Sequence, residues 1–170
     1  MRTQETDTGL DEAKVALAKA KSTVFRLFKF RPRSEREIIN KLKGKKLPND
    51  TIATAIEHFK KIDYINDRRF AQMWAVSRLT RNGINRIRLE LKQKGIAEEI
   101  IQETIGNIPE DYSEIETVLT VAKKQLRKYE RLDPDKQKRR LYEYLLRRGF
   151  RQNTAQKALR QLIRKQYDSQ

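Results

Sequence analysis

The chain has 170 residues, no cysteine and a formal net charge of +16, with 36% charged and 37% hydrophobic residues. The lack of cysteine excludes a disulfide scaffold and a thiolate metal site, and no stretch is apolar enough to suggest a signal peptide or a membrane span. We therefore expect a cytoplasmic protein that is attracted to polyanions, with nucleic acid the leading candidate and a membrane surface a weaker one.

The N-terminal part of the chain predicts a tail followed by a helix. Residues 1–9 are polar and show no periodicity, which predicts a disordered tail. Apolar residues then recur at helical spacing over 10–30 and predict a first helix. Pro32 ends this helix because a proline disfavours helical geometry in the residue before it.

Two shorter helices complete the first 60 residues. Ser34 and Glu37 have the spacing of a capping box, so they predict the start of a second helix that ends near Gly44. Either Asn49 or Asp50 can cap a third helix.

The same plan follows in the middle of the chain. Asn66 or Asp67 is expected to cap a helix that ends at Gly83, followed by a short helix ending at Gly95 and another over 97–105. The buried face of the first of these helices is predicted to comprise Phe70, Met73, Trp74 and Ser77, with Trp74 in the core.

Three further helices are predicted at the C-terminal end. The first covers 115–129, the second begins at the Asp133–Pro134 pair and ends at Gly149, and the third covers about 153–162. No stretch alternates with the period of a strand. The fold class is therefore predicted as all-α, with nine helices.

One apolar pattern occurs three times. The residues lie at identical offsets from Leu42, Leu91 and Leu145, and a repeat of this length indicates a repeat architecture. We expect an elongated array of three tandem three-helix repeats over residues 10–62, 63–108 and 109–166. The three copies are Ile38, Leu42, Leu47, Ile52, Ala55, Ile56; Ile87, Leu91, Ile96, Ile101, Thr104, Ile105; and Leu141, Leu145, Phe150, Ala155, Ala158, Leu159.

Charge is distributed unevenly over these repeats. Residues 123–170 hold 16 Lys and Arg against five acids, whereas residues 95–122 hold seven acids and no Lys or Arg. An ordinary solvated face would mix both signs. We therefore expect the second and third repeats to bind a polyanion or an acidic partner. The candidate residues are Arg78, Arg81, Arg86, Arg88, Lys92, Lys94, Lys123, Lys124, Arg127, Lys128, Lys138, Arg139, Arg140, Arg147 and Arg148.

Two other groups of residues have an ordinary and a functional interpretation. Tyr142 and Tyr144 could stack on bases, although the adjacent core leucines favour packing for at least one of them. The acids between 98 and 116 could contact a basic partner, or could simply match helix N-termini.

Catalysis is not expected. His58 is the only histidine, so a metal site is not predicted, and no glycine-rich phosphate loop or cofactor motif is present. Glu35 and Glu37 could pair as metal ligands in a nuclease, but helix capping explains them sufficiently.

Several short motifs together resemble the RecX family, the bacterial regulators of the RecA recombinase. They are DYINDRRFA at 63–71, GINRIR at 83–88, LKQKGI at 91–96, LLRRGF at 145–150, and Ser34-Glu35 followed by Leu42. The resemblance covers roughly residues 15–163. One position departs from it, because Lys46 stands where the later repeats have Gly95 and Gly149, so we expect that turn to be built differently.

The resemblance implies a function. A member of this family would bind the RecA filament on single-stranded DNA, in the filament's helical groove, and restrain ATP hydrolysis, strand exchange and co-protease activity without being an enzyme. We expect a monomer that also binds duplex DNA non-specifically. The alternative is a stand-alone DNA-binding regulator of the helix-turn-helix type.

Overall fold

A computed structural model describes residues 4–109 and 112–167, with side chains over 11–109 and 112–162. The described residues contain nine α-helices, one 3-10 turn and no strand, so the all-α prediction is confirmed. The helices are α1 Gln4–Phe28, α2 Glu35–Lys43, α3 Asn49–Lys61, α4 Asp67–Leu79, α5 Ile84–Gln93, α6 Glu98–Gly106, α7 Glu114–Leu126, α8 Pro134–Arg147 and α9 Gln152–Tyr167, with the 3-10 turn at Arg127–Tyr129.

Helix α1 begins earlier than its apolar pattern predicts. It starts at Gln4, so residues 4–9 of the predicted tail are helical, while residues 1–3 lie outside the described residues. Residues 4–9 contain no proline, so no missing backbone donor interrupts the helix there.

Two predicted helix starts are confirmed. The Ser34 hydroxyl accepts from the backbone nitrogen of Glu37, whose carboxylate accepts from the backbone nitrogen of Ser34. At the start of α8, the Asp133 carboxylate accepts two backbone N–H groups, and a proline occupies the first turn. Both pairs satisfy donors that a helix N-terminus otherwise leaves unpaired.

The start of α4 decides between its two predicted caps, and the start of α3 corrects the prediction made for it. Asn66 caps α4, because its side-chain oxygen accepts from the backbone nitrogen of Arg69 at 2.9 Å. The expected cap of α3 is wrong: Pro48 occupies the cap position in extended geometry, with no side-chain cap bond, and Asn49 is already helical. The pre-set φ of Pro48 orients the chain into α3 instead.

The repeated apolar pattern forms the interior. Sixteen of its 18 members are buried, and the other two, Leu47 and Ile105, are half-buried. The chain divides into two compact units, one comprising Met1–Phe70 with Lys94–Ala97 and the other Ala71–Gln93 with Glu98–Gln170. In the first, α1, α2 and α3 enclose a core around the fully buried Phe59, and in the second α7, α8 and α9 enclose one around Phe150.

The predicted buried face of α4 is right for Phe70 but wrong for its other three members, of which Ser77 is exposed. The residues of α4 that reach the interior are Phe70, Ala71, Ala75 and Leu79, whereas Met73 is 49% exposed and Trp74 is half-buried. Alanine allows close helix packing, so Ala71 and Ala75 can occupy the centre of the buried face while Met73 and Trp74 lie to its outside. The Trp74 ring lies beneath the guanidinium of Arg78 at 4.2 Å and donates to Glu90 at 3.0 Å.

The turn after α2 also differs from the prediction. Lys46 has φ 56°, in the same left-handed region as Gly95 at 81° and Gly149 at 80°, so all three turns have the same backbone hand. The hydrogen bond of Lys46 N to Lys43 O at 2.8 Å has its counterpart at Gly149 N and Leu146 O, at 2.9 Å.

The turn at Gly95 packs against α2, and the turn at Gly149 packs against α5. This close packing explains why these two turns need glycine. Within the first compact unit, the Ser34 hydroxyl donates to Lys94 O at 2.7 Å, and a Cβ on Gly95 would overlap the Arg36 side chain. Within the second compact unit, Gly83 N donates to Arg148 O at 2.9 Å, and a Cβ on Gly149 would overlap the backbone of Arg86.

Candidate nucleic-acid and filament interface

Most candidate cations of the second repeat are held by neighbouring acids. Glu90 binds two of them, Arg78 Nε and Arg86 Nε, each at 3.1 Å. Arg88 pairs with Glu98 at 2.9 Å. Opposite charges this close attract each other strongly. Part of the positive charge that the sequence suggested for this repeat is therefore neutralised within the fold.

Lys94, also a candidate, has a structural position. Its side chain is 17% exposed and its ammonium lies 2.9 Å from Glu37 and 5.9 Å from the centre of the Phe70 ring. Of the six second-repeat candidates, this leaves Arg81 and Lys92 exposed and without an ion pair to any residue that the structure describes.

The candidates of the third repeat are arranged differently. Seven of them are exposed and have no acid within ion-pair distance among residues 11–109 and 112–162. Four of these lie at the end of α7 and in the 3-10 turn and form two pairs four residues apart, a spacing at which side chains on a helix are neighbours. The seven are Lys123, Lys124, Arg127, Lys128, Lys138, Arg139 and Arg140.

The last two candidates, at the end of α8, have partners. Arg147 is 3.9 Å from Glu143 in an exposed pair, and Arg148 donates to the side-chain oxygen of Asn82 at 3.1 Å. The Arg148 guanidinium also lies 5.2 Å from the centre of the Tyr144 ring. Tyr142 and Tyr144 are both half-buried against the core around Phe150, which favours the packing interpretation of these tyrosines.

A partly buried ion network that the sequence did not predict surrounds Glu37. Its carboxylate accepts from Arg31 Nη2 at 2.8 Å, from Lys94 Nζ at 2.9 Å and from the backbone nitrogen of Ser34 at 3.2 Å. Burial alone would raise the pKa of Glu37, but these three donors together outweigh it and lower the pKa from 4.5 to about 2. Only Ser34 could be inferred from sequence, because Lys94 is 57 residues away.

Replacing Glu37 with glutamine is expected to destabilise the fold by about 1–3 kcal/mol, because it leaves the half-buried Lys94 without its counter-charge. Since the folded-state pKa is lowered, the stabilisation is fully present above about pH 4.5 and is lost as the pH falls towards 2. Urea unfolding at pH 7 and at pH 3 measures both effects.

The control for this change is Glu57→Gln, which breaks the exposed pair of Glu57 and Lys61. We expect a change within about 0.5 kcal/mol there, because exposed pairs contribute little. Equal losses in the two variants at pH 7 would contradict the role given to the Glu37 network.

The acidic residues have mostly local roles. Glu98 and Glu99 lie in the first turn of α6, and Glu114 and Glu116 in that of α7, where they match the positive end of the helix dipole. Glu98 also holds Arg88. Glu110 and Asp111 lie outside the described residues.

Glu35 and Glu37, the pair considered as metal ligands, have protein partners. Glu35 binds Lys60 at 3.0 Å, and Glu37 belongs to the network above. No three potential metal-ligating side chains come together in the described part of the chain. Over the same residues, none of the helices combines the length and the apolar character that a membrane crossing requires.

The first repeat also has a surplus of positive charge, although all the cations predicted from the sequence lie in the second and third repeats. Residues 10–62 hold 14 Lys and Arg against six acids. This repeat also carries the exposed aromatic side chains Phe25, Phe30 and Tyr64, which the search for candidate residues missed. The alternation of aromatic and basic residues from 25 to 31 is the signal that could have indicated them.

Comparison with known proteins gives a consistent family assignment. Residues 20–59, 66–105 and 112–159 match the first, second and third three-helix domains of RecX, in that order. The three matches correspond to helices of the three tandem repeats and confirm that architecture.

Whole-chain comparisons agree. The chain is 30% identical to the regulatory protein RecX of Clostridium perfringens strain 13 over 151 residues, which cover 88% of this chain and 71% of that protein. It is also 30% identical to the regulatory protein RecX of Streptomyces lividans over 146 residues, covering 85% and 77%.

Two solved structures share the fold. The crystal structure of RecX from Lactobacillus salivarius has a TM-score of 0.70 at 20% identity, covering 88% of this chain and 97% of that one. A second crystal structure of a regulatory protein RecX has a TM-score of 0.74 at 21% identity, covering 92% and 77%. With its three domain matches in order and its relatives at 30% identity, the chain belongs to the RecX family of regulatory proteins.

Proposed function

We propose that this protein is a cytoplasmic regulator of RecA. It binds the RecA filament on single-stranded DNA, lies in the helical groove of the filament and restrains ATP hydrolysis, strand exchange and co-protease activity. It acts by binding and not by catalysis. Membership of a family of regulatory proteins supports the regulatory part of this proposal.

The observation that carries the proposal is the uncompensated charge of the third repeat. Seven exposed cations there have no acid partner among the described residues. A nucleoprotein filament is a dense polyanion, so binding releases counterions, and the affinity falls as salt rises. The net charge of +16 also accelerates the encounter with the filament by long-range electrostatic attraction.

The helix-turn-helix alternative fits the second repeat poorly. Helix α6, which follows the Gly95 turn, exposes Glu98, Glu99 and Glu103 to solvent. Acidic side chains on a would-be recognition helix repel the phosphates on both sides of the major groove. Binding to duplex DNA is therefore expected to be weak and independent of sequence.

The test is a titration of the protein into RecA hydrolysing ATP on single-stranded DNA at moderate salt. We expect ATP hydrolysis to fall at less than one molecule of this protein per RecA molecule, because a groove-bound molecule contacts several RecA subunits. Unchanged hydrolysis on RecA-coated DNA would contradict the proposal. Tight, sequence-specific duplex binding without RecA would support the alternative instead.

A further inference from the structure

The exposed aromatic side chains of the described residues all belong to the first compact unit. Phe25 is 45% exposed, Tyr64 is 41% exposed and Phe30, just after α1, is 80% exposed. The other aromatic residues whose side chains are described are buried or half-buried. We call Phe25, Phe28, Phe30 and Tyr64 the aromatic surface. A single exposed apolar residue is ordinary, but several exposed aromatic rings grouped in one region indicate a binding site.

Three of the four rings of this surface, those of Phe25, Phe28 and Tyr64, are held in place by contacts with one another and with the core beneath them. Phe25 meets the fully buried Phe59 edge to face, with ring centres 5.0 Å apart. Tyr64 lies 5.4 Å from Phe25 and 4.8 Å from Phe28. Because these three side chains are already ordered, a ligand that stacks on them does not have to order them first, and Phe30 adds a highly exposed ring beside them in the sequence.

Positive charge accompanies the aromatic surface. Residues 22–34 contain four cations and no acid. Arg31 is held by Glu37, but Arg26 and Lys29 are exposed and form no ion pair with any residue in the described ranges. The ligand of this surface therefore needs both flat apolar faces and negative charge.

Single-stranded nucleic acid has this combination. Its bases stack on aromatic rings while its phosphates lie beside cations, whereas a duplex keeps its bases within the stack. A purely apolar protein segment would leave Arg26 and Lys29 without a role. The tyrosines of the third repeat are poorer platforms, since they are half-buried and Arg148 lies over Tyr144.

We propose that the aromatic surface, with Arg26 and Lys29, is a binding site for single-stranded DNA on which unstacked bases rest. The site deepens the proposed function, because it would bring the first repeat into contact with exposed bases while the third repeat binds the filament's charge. It rests on the proposed function only for its biological setting, and its test needs no RecA.

The test compares two labelled 20-nucleotide probes in fluorescence anisotropy, oligo(dT) and an abasic deoxyribose-phosphate chain, with the full-length protein. We expect wild type to prefer oligo(dT). Phe30→Ala should weaken oligo(dT) binding at least about fivefold, the lower end of what one stacked base contributes, and leave abasic binding within about twofold. Val76→Ala removes another exposed apolar side chain, 63% exposed on α4, and should change neither affinity.

Phe30→Leu separates stacking from simple apolar contact. Because Phe30 is 80% exposed, the substitution should leave the fold intact, which circular dichroism checks. We expect it to lose oligo(dT) affinity as Phe30→Ala does. Wild-type affinity for oligo(dT) in Phe30→Leu would overturn the proposal in favour of an apolar partner. Equal losses on both probes would also overturn it. Inhibition of RecA together with either result would leave the proposed function standing and remove this site alone.

Discussion

Gly149→Ala is expected to destabilise the protein by about 2–5 kcal/mol. The residue has φ 80°, which costs a residue with a Cβ about 1–2 kcal/mol. The added Cβ would also overlap the backbone of Arg86, and no side-chain rotation relieves a backbone contact, so a further cost of about 1–3 kcal/mol follows. Urea unfolding measures the change.

The matched control is Gly44→Ala, at the end of α2. Gly44 has an ordinary helical φ of −62°, and the added Cβ would have its nearest neighbour at 3.4 Å, which is normal contact. We expect a neutral or slightly stabilising effect of about 0.5 kcal/mol, because alanine restricts the unfolded chain. If Gly149→Ala were as stable as wild type, the docking of this turn on α5 would be wrong.

These glycines illustrate what the sequence could and could not predict. The apolar pattern indicated three helical repeats, because burial on one face of a helix has a regular period. It could not show that Lys46 shares the backbone hand of Gly95 and Gly149. The glycine requirement comes from the helix docked on each glycine turn, whereas Lys46 is exposed to solvent.

The candidate interface was predictable as a surplus of charge but not residue by residue. Arg86 and Glu90 are four apart on one helix, so their pairing could be foreseen. Arg78 reaches the same carboxylate from α4, and Lys94 reaches Glu37 across 57 residues. Tertiary packing decides such pairs, so composition overestimated the free charge of the second repeat.

Trp74 shows a related limit. A large aromatic residue in an apolar pattern predicts a core position, yet the buried face of α4 includes Ala71, Ala75 and Leu79 instead. The small residues allow a closer approach of helices. The indole N–H of Trp74 donates its hydrogen bond to Glu90 outside the core. Helix periodicity identifies the spacing of a buried face but not its rotation when apolar residues surround the helix.

Reversing four third-repeat cations together is expected to have the largest effect on function. The variant carries Lys123→Glu, Lys124→Glu, Arg127→Glu and Lys128→Glu, which lowers the net charge from +16 to +8 because each reversal removes two charges. All four side chains are exposed, so the fold should be retained. Affinity for the RecA filament should fall about 10- to 100-fold at moderate salt, since four favourable contacts become repulsive.

A control with the same net charge separates the local surface from the overall charge. It reverses four cations at and after the end of α2, namely Lys41, Lys43, Lys45 and Lys46. Long-range attraction falls equally in both variants. The proposed interface lies in the third repeat, so we expect this control to lose less than about threefold in affinity.

The most direct measurement is the co-sedimentation of this protein with RecA filaments assembled on single-stranded DNA, compared with the same DNA without RecA, at low and moderate salt. We expect wild type to bind the filaments more tightly than the bare DNA, and the third-repeat variant to bind them weakly with a shallower salt dependence. Wild-type binding that is no tighter to filaments than to bare DNA would contradict the proposed function. A third-repeat variant that binds filaments as wild type does would show that these cations are only solvated.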